Sequence, residues 1–228
     1  MPAPTPGFNY TFSGQVTDGA SGDAIAGVTV ALVGDRTGTQ IAHTNASGNY
    51  SITYGPNNKI TLIAYKTGYL FSPLVSEFIS NSILTGNWTV SFTSSQFPIP
   101  LTTPPVLLTE ENSLRGLVVD SVTFMRDPFP VITSQNFSSD RHSRIMLFAV
   151  NVDLRPGENA SVVTAQAEDS THRTYSLPVE SVGKVPGYDW LTQVVVKLPD
   201  ELGSAVEVSV SINFRSVTSN KVLIKVKP

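Results

Sequence analysis

The sequence predicts an all-β protein: two β-sandwich domains in tandem. Three observations carry that expectation. Apolar residues recur at every second position in short runs, as in Tyr50, Ile52 and Tyr54 or in Val206, Val208, Val210, Ile212 and Phe214. That is the period of a strand with one face buried. The runs are separated by polar turns such as TNASGN at 44–49, whose Gly48 is the residue type that tolerates positive φ. Between the two sets of runs, residues 95–110 read SQFPIPLTTPPVLLTE, and Pro98, Pro100, Pro104 and Pro105 remove ladder donors and stiffen the chain.

Taken in order, residues 1–10 carry Pro2, Pro4 and Pro6 and are expected to form an extended arm. The first domain, 11–94, holds strand patterns at 11–18, 28–33, 40–44, 50–53 and 59–66. A last one at 87–92 aligns Trp88, Val90 and Phe92, which places Trp88 in the core. The connector, 95–110, is apolar for a linker, with Phe97, Ile99, Leu101, Val106, Leu107 and Leu108 expected to pack on one domain or both. The second domain, 111–228, holds patterns at 114–124, 143–152, 161–168, 174–182, 191–198, 206–214 and 221–226. IMLFAV at 145–150 is apolar on both faces and suits a central strand, or one covered by the connector. PDEL at 199–202 suits a single helical turn.

Composition excludes several classes of function. Of 228 residues, 14% are charged, well under the roughly 25% of an average soluble domain. Ser and Thr fill the polar share, which fits a secreted or surface protein. The net charge is -3 with no basic block, so no phosphate backbone is served. There are no cysteines, hence no disulfide, thiolate nucleophile or thiolate metal site. No apolar run is long enough to span a membrane. MPAPTPG is not a signal peptide, so an extracellular location implies a leader already removed.

SGQVTD at 13–18, IAGVTVAL at 25–32, TNASGNYSI at 44–52 and YKTGY at 65–69 resemble, in order and spacing, the carboxypeptidase regulatory-like domain, a transthyretin-like sandwich. The resemblance implies a noncatalytic accessory module of a larger surface or secreted bacterial protein. The second half is similar to C-terminal β modules of surface proteins of environmental bacteria and has an immunoglobulin-like outline. That likeness rests on Leu147-Phe148-Ala149, RPGEN at 155–159, DWLTQVVVKLP at 189–199 and SNKV at 219–222, and implies no defined activity.

No catalytic, cofactor or metal site is expected. His43, His142 and His172 lie far apart without zinc spacing. Asp18 with Asp23, and Glu168 with Asp169, fall short of the oxygen ligand set of a Ca²⁺ loop, and capping of their own turns is the expectation. Asp140, His142 and Ser143 are too close in sequence to converge as a relay, which leaves a solvated loop. Six asparagines match the Asn-X-Ser/Thr glycosylation acceptor: Asn9, Asn45, Asn49, Asn87, Asn136 and Asn159. Tyr188 and Trp190, read as loop residues beside a Pro-Gly turn, are candidate contacts for a carbohydrate or a protein partner.

The functional expectation is a noncatalytic extracellular structural or interaction protein: a self-assembling surface or filament subunit that uses β-strand edges. Its partner is itself or another surface protein, reached through residues 1–10 or 97–108. The alternative is a carbohydrate-binding accessory module of a secreted polysaccharide-active protein, with a glycan as partner.

Overall fold

The computed structural model describes residues 10–73, 75–84, 86–95, 103–204 and 206–227. The chain divides into two compact units: the first runs to Thr103 and includes Glu111–Leu114, and the second comprises Pro104–Glu110 and the chain from Arg115 on. The first contains β1 (Tyr10–Asp18), β2 (Thr29–Gly34), β3 (Gly38–His43), β4 (Asn49–Tyr54), β5 (Asn57–Tyr65), β6 (Leu70–Ser72), β7 (Ser76–Leu84), β8 (Trp88–Thr89) and β9 (Phe92–Ser95). One sheet runs β4-β1-β9-β6, with β8 also on β1; the other runs β3-β2-β5-β7. Phe12, Val16, Ile52, Tyr54 and Phe92 from the first sheet close on Val30, Leu32, Ile60, Leu62 and Ala64 from the second. The phenol tips of the buried tyrosines find partners: Tyr50 donates to Val90 O at 2.6 Å and Tyr54 to Gly86 O at 3.0 Å.

Two polar devices set the turns. The Asn45 side-chain oxygen accepts from the amides of Ser47 (2.9 Å) and Asn49 (3.0 Å), which closes the turn before β4. Gly48, at φ 72°, then accepts from Val16 N at 2.9 Å, and a Cβ there would stand 2.4 Å from Val16 O. Asn57 is fully buried and fully used. Its oxygen accepts from Arg36 N and Thr37 N, and its amide donates to Thr37 Oγ1 and Gly55 O, all within 3.1 Å. The β2–β3 hairpin is thereby pinned to the start of β5. Asp18 caps its own turn as expected, accepting from Ala20 N and Ser21 N, whereas Asp23 enters that turn through its backbone.

Three expectations for this unit are corrected. The span 87–92 is two short strands, because the chain breaks at Val90 and Ser91 and the alternation resets between Trp88 and Phe92. Trp88 is therefore not a core residue. It is 40% exposed, its ring stacked on Phe12 at 6.5 Å and tilted against Phe78 at 5.8 Å. Strands β6 and β7 were absent from the sequence reading. SEFISNSIL places Phe78 and Ile79 side by side, and the ladder to β5 shifts register between Asn57 and Lys59, so no clean period marks it.

The second unit contains β10 (Val106–Leu107), β11 (Val118–Asp120), β12 (Phe129–Pro130), β13 (Arg144–Val150), β14 (Val163–Asp169), β15 (Thr174–Leu177), β16 (Val179–Val185), β17 (Tyr188–Lys197), β18 (Glu207–Phe214), β19 (Val217–Thr218) and β20 (Val222–Lys227). One sheet runs β10-β13-β17-β16, with β11 also on β13; the other runs β12-β20-β18-β14-β15, with β19 on β18. Lettered in chain order, these are the A-B-E-D and G-F-C sheets of an immunoglobulin-type sandwich, with β15 as the extra C′ strand. Ile145, Leu147 and Ala149 meet Val194 and Val196 beside them and Val163, Ala165, Val208, Val210 and Ile224 across the core. β13 is central, as its two-sided apolar run implied, and the connector residues Val106 and Leu107 form one of its neighbours, each 1% exposed. Phe97, Ile99 and Leu101 lie outside the described residues.

Here too the reading is adjusted. Of the pattern at 114–124 only Val118–Asp120 is strand, because Asp120 starts a tight turn. The pattern at 174–182 breaks at Pro178 into β15 and β16, which belong to different sheets. The helical turn at PDEL is present as a 3₁₀ turn, Asp200–Ser204.

Substituting Gly48→Ala is expected to destabilise the first unit by about 2 kcal/mol or more, from positive φ and the clash with Val16 O. Asn57→Ala is expected to cost about 2–4 kcal/mol, because it strands buried amides. Urea unfolding followed by near-UV circular dichroism checks both.

Candidate interaction surfaces

Tyr188 and Trp190 are not loop residues. They open the ten-residue strand β17, and only Pro186 and Gly187 separate it from β16. Both side chains project from the same face, as period two requires. Tyr188 is 53% exposed and Trp190 is half-buried. Their rings meet at 88° with centroids 6.0 Å apart, so they form a corner and not a flat platform of two coplanar rings.

Of the six glycosylation-type asparagines, Asn9 lies outside the described residues. In Asn45, Asn136 and Asn159 the side-chain oxygen accepts from the amide two residues on, the Ser of the motif, at 2.9 Å in each case. Turn geometry alone thus accounts for those three motifs. Asn87 accepts from Thr11 N at 3.0 Å, and Asn49 opens β4 with its side chain exposed.

Many of the charged side chains are engaged with one another. Arg144 lies between Asp140 and Glu180, with Lys197 also on Asp140. The Arg144 guanidinium, followed by the Ser138 hydroxyl, holds the Asp140 carboxyl well below the usual carboxylate range. Asp169 is held low by Thr171 and Tyr175, and its oxygen accepts from Thr171 Oγ1 at 2.6 Å. Arg215 pairs with Glu158, and Lys184 with Asp153. His142 Nδ1 meets Leu198 O at 2.7 Å, and Ser143 is fully buried, so this segment is less solvated than its sequence suggests and its three groups do not converge. Among the described residues no three His, Asp or Glu side chains gather to hold a metal, and no helix is long and apolar enough to cross a membrane.

What the sequence reading left unlocated is which sheet edge is open. Native edges are blunted by brevity, charge, proline or bulges. β6 has three residues and β15 four. β12 is two residues ending in Pro130. β16 has two register shifts and carries Glu180 and Lys184. β7 carries Glu77, paired to Lys59, and has its own shift. β4 has none of these features. Its six residues, NYSITY, are uncharged, pair with β1 in unbroken register and expose Asn49, Ser51 and Thr53. β3, uncharged and also six residues long, precedes it in the chain and ends the other sheet.

Residues 12–74, from β1 to the end of β6, match the family model of the CarboxypepD_reg-like domain. All four sequence pieces that suggested this family lie within 12–74. No curated protein matches the chain. Among solved structures the chain is similar to the minor pilin GBS52 of Streptococcus agalactiae, at 17% identity over 40% of this chain and 45% of that one, TM-score 0.29. It is similar to the pilus 2b backbone protein of group B streptococcus at 19% identity, over 37% of this chain and 40% of that one, TM-score 0.27. A third is BcpA*(D312A), the major pilin subunit of Bacillus cereus, at 11% identity over 96% of this chain and 69% of that one, TM-score 0.28. The chain spans less than half the length of the first two.

Arg144→Gln is expected to speed amide hydrogen exchange across 133–142 while the middle of β13 and β17 stays protected. Acid should do the same to the unaltered chain. Because the Asp140 carboxyl is depressed in the folded state, its contribution is complete above the ordinary aspartate value of 3.8 and is lost as pH falls below it. Exchange in this loop that ignores both changes would show that the ion cluster does not hold it.

Proposed function

We propose that the chain is a noncatalytic extracellular structural subunit that associates with copies of itself or with another surface protein through the open sheet edge of its first unit. The observation that carries this reading is β4: six uncharged, unbulged residues with no second strand hydrogen-bonded to them among the described residues. Such a strand offers a row of backbone donors and acceptors that an added strand completes, and only its side-chain pockets select the partner. The low charge of the chain and its interlocked ion pairs support contact as the mode of action.

Parts of the two segments considered for the added strand are already paired within the chain. Val106 and Leu107 are already committed to β13 within their own unit, and Tyr10 is paired with Tyr54 inside β1. Of the two segments considered from sequence, residues 1–9 and the part of the connector before Thr103 remain, and the arm 1–9 is the donor in this reading. Of the two residues considered for a glycan contact, Tyr188 is exposed and Trp190 is half-buried against it.

Ser51→Lys with Thr53→Lys places two charges on the outer face of β4. It is expected to leave unfolding stability within about 0.5 kcal/mol and to shift the mass seen by multi-angle light scattering toward the monomer. Removing residues 1–9 is expected to have the same effect on mass. If the lysine variant dissociates and the shortened chain does not, the edge is used but the arm is not its occupant. If neither changes, the edge reading falls.

A further inference from the structure

We infer that the loops at one end of the second unit form a separate self-association surface, which takes a second copy of this chain. Five of the nine exposed large apolar side chains among the described residues fall between 122 and 137: Val122, Phe124, Met125, Ile132 and Phe137. Phe137 is 96% exposed, Phe124 67% and Met125 65%. They sit on two loops tied to the start of β13. Ser121 N donates to Arg144 O (2.8 Å), Ser143 N to Val131 O (2.9 Å) and Thr133 N to Arg141 O (2.9 Å).

The first loop is built to hold its apolar residues outward. The Asp120 side-chain oxygen accepts from Val122 N (2.9 Å), Thr123 N (2.8 Å) and Thr123 Oγ1 (3.0 Å), and Phe124 N closes on Asp120 O at 2.9 Å. This fixes Phe124 at φ 56°, in the left-handed region. A bulky aromatic is out of place there, where Asn or Gly sits without strain. Phe124 thus costs folding through its backbone and gives little back through its exposed ring. Strain of this kind, kept in place by surrounding hydrogen bonds, marks positions held for contact.

The size of the patch points to a second copy. With roughly 200 Å² for each of the two aromatics and somewhat less for the three aliphatic side chains, exposures of 43–96% amount to about 600 Å² per molecule, the upper end for a patch on an ordinary monomer. Two such patches face to face bury about 1,200 Å², which reaches the lower limit of a stable specific interface. The charges nearby cancel: Asp120, Asp127, Asp140 and Glu180 against Arg126, Arg141, Arg144 and Lys197. A rim without net charge does not attract an anionic membrane or a nucleic acid, and it does not repel its own copy.

This inference rests on the self-association reading for the identity of its partner but uses a different unit and a different contact. The test compares Phe124→Asn, Phe137→Ser and the β4 lysine variant by sedimentation velocity of the full chain over a concentration series. Phe124→Asn is expected to raise Tm by about 2–4 °C, since Asn accepts the left-handed backbone, while weakening association by at least ~10-fold. Phe137→Ser, at a site that touches almost nothing, is expected to leave Tm unchanged and weaken association similarly. If both leave association intact and the β4 variant abolishes it, the patch is refuted and the edge reading stands. If the patch variants dissociate the protein and the β4 variant does not, the reverse holds. A wild-type chain that stays monomeric throughout overturns both, and co-sedimentation of that monomer with phosphatidylcholine vesicles would reassign the patch to lipid.

Discussion

A β-strand carries two rows of backbone hydrogen-bonding groups, and only a strand with neighbours on both sides satisfies both. Much of this molecule can be understood as a response to that demand. β1 has β4 along one side and β8 and β9 along the other; β13 has β17 on one side and β10 and β11 on the other. Even the short pieces serve it, since two residues of connector and three of β11 are enough to complete the second row of β13. Where no neighbour is supplied, most strands are kept short, bulged or charged, and β3 and β4 stand out because none of these applies.

The interior was largely legible in the sequence, because burial and period two are the same fact seen from two sides. Val208, Val210, Ile212 and Phe214 alternate in the sequence and are buried in the structure. The reading weakened where packing overrode period. Trp88 alternates with Phe92 yet lies across the rim of the core, because the strand between them is interrupted. Tyr188 and Trp190 flank a turn signal but belong to a strand, since the hairpin loop is only two residues long. β7 gave no signal because its apolar residues are adjacent, and its pairing shifts register. The interaction surfaces were less legible. Edge position is a property of the whole sheet, and no local pattern reports it. An apolar pair such as Phe124-Met125 looks like core until the backbone turns it outward.

Polar side chains act in this protein as organisers of backbone. Asn57, Asn45 and Asp120 each satisfy several amides in a turn with a single side-chain oxygen or amide group. This explains how a chain so poor in charge holds well-defined loops. It also accounts for three of the four Asn-X-Ser triplets, those at Asn45, Asn136 and Asn159.

The open flank of β4 has a geometric corollary when set beside the apolar loops of the second unit. A molecule with one self-matching face forms a closed pair and stops. On the readings proposed above, one face matches itself and the other takes a segment of a different copy, a head-to-tail contact that has no closing step unless it forms a ring. Assembly through both would then run on as a thread whose length is set by supply and not by symmetry.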